Sequence, residues 1–128
     1  MARQDLQGDG LRAIIQSVAD DLHKRLGARL TVDEMETHFV DEVTKRSIRI
    51  TRCNDTQLSF GGSPVEKILA DVLLEDRLLV EFKRMPCVTS ADLYRFAQFL
   101  KTSKISEGML INLSASGQEC CYMNVRDN

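Results

Sequence analysis

The stretch "ADVLLEDRLLVEFKR" (70–84) holds two short apolar runs around a polar turn, with three residues that do not suit a buried hairpin. Asp71 opens the first run, and Glu81 and Lys83 lie inside the second. Alternate residues of a strand share a face, so Glu81 and Lys83 point one way and Val80 and Phe82 the other. A tight turn at Glu75-Asp76 pairs 74 with 77, 73 with 78, 72 with 79 and 71 with 80. Glu81 then stands one step beyond the place opposite Asp71. A bulge, a twist or diverging strand ends would bring the two carboxylates together. Otherwise they sit at a solvated strand end, with Lys83 as their ion-pair partner.

A third acid lies upstream. Val32, Met35, Phe39, Val40 and Val43 recur at helical spacing, and Glu36 falls within their stripe. Such a glutamate either reaches water from the edge of the stripe or needs a charged partner or a metal. Three converging carboxylates repel one another and raise their pKa values unless a cation sits among them. Oxygen-only ligands suit Mg2+ or Mn2+. Such an ion polarises a phosphodiester and makes a bound water more acidic, and a neighbouring lysine can orient that water or stabilise developing negative charge. The hairpin therefore reads as one wall of a metal-dependent phosphodiesterase site.

The elements that must position these residues follow from periodicity. Leu11, Ile14, Ile15, Val18, Leu22 and Leu26 predict an amphipathic helix that Gly27 stops. "TVDE" (31–34) is a capping box with Thr31 as N-cap, starting a helix over 32–45. Strands are expected at 47–53, 57–60, 65–74, 77–84, 108–114 and 120–125, with loops at 54–56 and 61–64. A helix over 89–103 presents Leu93, Phe96 and Leu100 on one face. The strand at 77–84, this helix and the strand at 108–114 form a β-α-β unit, so the two strands are expected to be parallel neighbours.

The order helical Glu, Asp, then Glu-x-Lys resembles the PD-(D/E)XK nuclease superfamily, and "ADVLLEDRLLVEFK" is especially similar to its GxxExxY branch. The likeness runs on through "FLKTSKISEGMLINL" (99–113), similar to that branch's helix, glycine and closing strand. It covers roughly 32–125, the first helix standing outside it as an addition. The resemblance implies a restriction-endonuclease-like α/β core, a central mixed β-sheet flanked by helices, within a single domain spanning 1–128. It implies Asp71 and Glu81 as metal ligands, Glu36 as the helical Glu that joins them, Lys83 as the catalytic lysine and Mg2+ or Mn2+ as the cofactor. Phe39 stands where the branch has tyrosine, Asp33 where it has its first glycine, and Leu69-Ala70 where the superfamily has proline before the Asp. An alternative alignment uses Glu34 as the helical Glu. The helix after the lysine often carries a Gln facing the site; here that position is Arg95, with Gln98 one turn later.

Other features carry less. "FGGSP" (60–64) has no following Lys-Ser/Thr and is a turn, not a phosphate loop. Tyr94, Phe96 and Phe99 read as core or helix-face residues. Lys101 and Lys104 with Lys83, Arg84 and Arg95 either line a phosphate track or are solvated helix ends. Cys53, Cys87, Cys120 and Cys121 form no C-x-x-C pair and read as reduced thiols, the adjacent two facing opposite sides of a strand. A net charge of −2 advertises no overall basic field, though a local groove can still hold nucleic acid. No apolar run reaches the roughly 18 residues of a membrane span, and residues 1–10 lack a signal peptide's apolar segment, so an intracellular protein, cytoplasmic or nuclear, is expected. The expected function is metal-dependent hydrolysis of nucleic-acid phosphodiesters, DNA ahead of RNA, with Arg84, Arg95, Gln98 and Lys101 contacting the substrate and a homodimer as one arrangement. The alternative is a catalytically inactive module of the same fold that binds nucleic acid or a protein partner.

Overall fold

Both predicted N-terminal stripes form helices. The computed structural model describes residues 9–27, 30–52, 59–60, 63–64, 72–114 and 117–125. In α1 (Asp9–Leu26), Leu11, Ile15, Val18, Ala19 and Leu22 are buried. In α2 (Val32–Lys45) the buried residues are Met35, Glu36, Phe39 and Val43. The capping box starts α2 as expected: Glu34 N donates to Thr31 Oγ1 (3.1 Å), and Thr31 N donates to Glu34 Oε1 (2.9 Å). The Glu34 carboxylate is thus used by the cap at an exposed position.

The strands are β1 (Ile50–Arg52), β2 (Ser59–Phe60), β3 (Ser63–Pro64), β4 (Val72–Leu74) and β5 (Leu78–Lys83), followed by α3 (Ser90–Ser103), β6 (Glu107–Ser114) and β7 (Gly117–Asn124). Strand β1 starts later than expected because the chain is still leaving α2. Ser47 is left-handed (φ 61°), and Ile48 N reaches back to Val43 O. Ser63 and Pro64, expected in a loop, pair with β2. The expected strand at 65–74 is described only over Val72–Leu74; its first part, Asp71 included, lies outside the described residues. So do Cys53, the expected loop at 54–56 and residues 1–8.

The main sheet has the order β1-β4-β5-β6-β7, and β5 and β6 form the predicted parallel pair, joined through α3. The other neighbours are antiparallel, so the sheet is mixed. Side-chain alternation gives each face its own core. Val72, Leu74, Leu78, Val80, Phe82, Met109, Ile111 and Leu113 pack with α1 and α2. Leu79 and Leu110 pack with Phe96, Phe99 and Leu100 of α3. Cys120 joins the first cluster and Cys121 the second, the opposed orientation predicted for neighbours in a strand. Tyr94, expected in a core or on a helix face, stands in water at 66% exposure.

The hairpin register corrects the sequence reading by one residue. The turn closes as expected, with Arg77 N donating to Leu74 O (2.9 Å), and Glu75 and Asp76 both take left-handed backbone (φ 52° and 54°). The ladder, however, resumes one residue later, pairing Leu74 with Leu78 and Val72 with Val80. An extra residue beside a turn shifts a register in just this way.

Gly108 sets how closely α3 lies on the sheet. A Cβ there would meet Phe96 Cζ at 2.6 Å, Phe96 Cε2 at 2.8 Å and Leu100 Cδ1 at 3.0 Å. Both partners are buried, so they have little room to yield. Gly108→Ala is expected to cost about 1–3 kcal/mol through overpacking. Urea denaturation checks this, and an unchanged midpoint would show that α3 can lift without penalty.

Candidate active site

Glu81 and Lys83 occupy the C-terminal half of β5, beside parallel β6 and below the start of α3. Their neighbours Val80 and Phe82 belong to the α1/α2 core, so Glu81 and Lys83 face α3. Ligands of open α/β sheets collect outside the carboxyl ends of such strands. Glu81 is 5% exposed, and its Oε2 lies 2.8 Å from Lys83 Nζ. The Lys83 partner expected for the hairpin acids is present, but Glu81 is buried, not solvated, and Asp71 lies outside the described residues.

The first turn of α3 adds charges that the sequence reading did not single out. Asp92 is buried and closes a capping box. Its Oδ2 accepts from Thr89 N (2.9 Å) and Thr89 Oγ1 (2.8 Å), while Asp92 N donates to Thr89 Oγ1 (3.2 Å). Its Oδ1 accepts from Arg95 Nη2 at 2.6 Å. The Thr-x-x-Asp pattern at 89–92 was the available signal. The fields of Asp92 and Arg95 reach Glu81, and that of Lys83 reaches Asp92.

These two acids are pushed in opposite directions. Burial raises the Glu81 carboxyl above the usual glutamate range, with Lys83 opposing it. The bonds from Thr89 hold Asp92 below the usual aspartate range, helped by Arg95 and Lys83. The raised Glu81 value has a direct consequence for stability. Below the ordinary glutamate range both folded and unfolded chains are protonated there, so the group sets no penalty. As pH rises through the raised native value, charge is forced into the buried site and stability is lost. Glu81→Gln lacks that loss. Its melting temperature is expected to match wild type at acid pH and exceed it increasingly toward neutrality. A gap of the opposite sign in a pH series of thermal melts would contradict the raised carboxyl.

Glu36 lies elsewhere. It is 1% exposed, so it does not reach water from the edge of its stripe. Its Oε2 accepts from Arg52 Nε (2.7 Å) and lies 2.6 Å from Arg52 Nη2. Arg52 pairs with Val72, which pairs with Val80, and both valines belong to the α1/α2 core. The described residues therefore place Glu36 and Glu81 on opposite faces of the sheet. Arg52 escaped the sequence reading because nothing local marks its partner, sixteen residues away.

The expected substrate contacts divide in the same way. Arg95, Gln98 and Lys101 are exposed on α3. Arg84 instead donates from Nη1 to the Leu30 carbonyl, next to the start of α2. Among the described residues no group of three or more His, Cys, Asp or Glu side chains could hold a metal. Among the described residues, Glu81 is the one buried carboxylate on the α3 face not committed to a helix cap.

A mixed five-stranded sheet with helices on both faces, its parallel pair bridged by α3, defines a restriction-endonuclease-like α/β fold. The chain belongs to the PD-(D/E)XK nuclease superfamily: the family model matches residues 9–121, a span that includes α1. The superfamily consists typically of nucleases, and these generally use divalent metals. Among solved structures, that of SSO0001 aligns with a TM-score of 0.44 and 11% identity, covering 75% of this chain and 50% of that one. The chain thus spans about half the length of that protein. No curated protein matches the sequence at a significant level.

Proposed function

We propose that the protein hydrolyses nucleic-acid phosphodiester bonds at the α3 face of β5, with a divalent ion, Mg2+ or Mn2+, held by Glu81 and Asp71. The observation that carries this reading is a buried Glu81 beside Lys83, at the carboxyl end of the parallel pair, with burial raising the carboxyl above the usual glutamate range. A carboxylate whose charge is disfavoured by burial gains most from a cation at its oxygen atoms. For Asp71 to share the site, the β4–β5 ladder must continue one rung past Val72–Val80. A divalent ion there supplies positive charge against the phosphodiester's negative charge. Lys83 stands ready to stabilise charge that develops in the transition state. Arg95, pinned by Asp92, presents its guanidinium to the substrate backbone, with Gln98 and Lys101 further along α3. Glu36, paired with Arg52 on the opposite face of the sheet, stands outside such a site.

Within the superfamily, the GxxExxY branch is the proposed affiliation, on Glu36 with Phe39 and on the hairpin. The proposed substrate is DNA ahead of RNA, met inside the cell by a single domain or a homodimer of it. No described helix is long and apolar enough to cross a membrane. A second reading, a non-catalytic module on the same scaffold, draws support from Glu36, whose carboxylate is taken by Arg52. Calorimetric titration with Mn2+, on wild type, Glu81→Ala and Asp71→Ala, followed by cleavage assays on linear and branched DNA and on RNA, separates the two. Metal binding and cleavage lost in both variants support the nuclease. Nucleic-acid binding without cleavage, indifferent to Glu81→Ala, supports the module.

A further inference from the structure

The segment 84–89, which carries the chain from Lys83 to the start of α3, has main-chain groups that no helix or strand satisfies. Two side chains from the neighbouring strands satisfy three of them. Asn112, wholly buried on β6, accepts from Met85 N at Oδ1 (2.9 Å) and donates from Nδ2 to Met85 O (3.0 Å). The same Nδ2 donates to Glu119 Oε1 on β7 (2.8 Å), which also accepts from Val88 N (3.2 Å). Lys83, Asn112 and Glu119 form one rung across β5, β6 and β7.

Main-chain N–H and C=O groups shielded from water require partners, and at half-buried Met85 an amide side chain offers a donor and an acceptor together. Asn112 therefore acts as a surrogate strand. It prolongs the pairing of β5 two residues past Lys83, so the lysine lies inside a clamped segment instead of at a fraying end. The bond from Val88 to Glu119 fixes the residue just before Thr89, the N-cap whose box holds Asp92, the partner of Arg95. The Asn112–Glu119 network thus holds the chain that runs between the Glu81–Lys83 pair and the Asp92–Arg95 pair.

The geometry points to Asn112 and Glu119 as positioning residues of the active site, a latch that sets Lys83 and the first turn of α3 against Glu81. This inference rests on the nuclease reading for its effect on cleavage, but the placement of Lys83 is measurable without activity. Small displacements of a catalytic group cost up to about a hundredfold in rate.

The test combines NMR with kinetics on the full chain. In Asn112→Ala and in the milder Glu119→Ala, amide exchange at the latched positions (Met85 and Val88; Val88 alone for Glu119→Ala) should accelerate while β6 and β7 amides stay protected. The Lys83 ammonium signal, slowed in exchange by its pairing with Glu81, should weaken. With DNA as substrate, kcat should fall about ten- to a hundredfold with KM little changed, as when the supporting shell of a site is removed. Glu119→Gln keeps the accepting oxygen and should remain within about twofold of wild type on the same scale. An unchanged Lys83 signal in variants whose latched amides exchange freely would overturn the inference, as would cleavage at the wild-type rate. If the wild-type chain cleaves no nucleic acid, the nuclease reading fails and the Lys83 signal alone decides on the latch.

Discussion

On the proposed nuclease reading, Lys83→Ala is expected to lower phosphodiester cleavage by about a hundred- to a thousandfold, the usual cost of removing one group that stabilises developing charge in a site built for it. The fold should survive. The Lys83 side chain is 35% exposed at the end of β5, and its backbone pairing does not depend on the side chain. Metal binding should also survive, because the substitution removes an ammonium that competes with a cation for Glu81 Oε2. Lys83→Ala and Glu81→Ala are therefore expected to part company in Mn2+ calorimetry while both fail to cleave. Retained cleavage in Lys83→Ala, with cleavage lost in Glu81→Ala, would remove the lysine from the mechanism. Lys83→Arg is not a safe control, since a planar guanidinium directs its donors differently from a compact ammonium.

Arg52→Ala is expected to destabilise the protein by about 3 kcal/mol, because it strands the buried Glu36 carboxylate without its partner. The figure sits at the low end for a broken buried pair, since the Arg52 side chain is 35% exposed while that of Glu36 is 2% exposed. Removing both charges leaves no stranded group, so Glu36→Gln combined with Arg52→Met should cost far less than Arg52→Ala alone. Chemical denaturation of the two variants decides this; equal losses would mean that the pair is held for packing and not for charge. Mn2+ adds a second readout. Recovery of the Arg52→Ala midpoint on adding Mn2+, absent in Glu36→Gln, is the result required of a helical glutamate able to take up an ion.

Much of the site was legible because it lies within short stretches. Glu81 and Lys83 on one face, and Glu36 turned inward, are matters of period, and the period of a strand or helix is a local property of the backbone. The Thr89–Asp92 box was also local and could have been read. The hairpin register was not legible, since two successive left-handed residues close the same turn whether the ladder resumes at Arg77 or at Leu78. Asn112 stood out only as one polar residue in the apolar run "GMLINLS". Nothing in that run shows that its amide would meet Met85, twenty-seven residues earlier.

By itself, then, the amino-acid sequence determined the helices, the parallel β5–β6 pair and the acid-x-Lys strand, because each follows from hydrophobic period, capping chemistry or the crossover that a parallel pair requires. Only the tertiary structure decided which distant charges meet. It put Arg52 on Glu36, sixteen residues away, and set that pair on the opposite face of the sheet from the local pairs Lys83–Glu81 and Arg95–Asp92. The physical reason is that a buried charge takes whatever partner the packing of distant segments brings within hydrogen-bond reach. That packing is set by the whole core, whereas a sequence pattern records only which face each residue prefers.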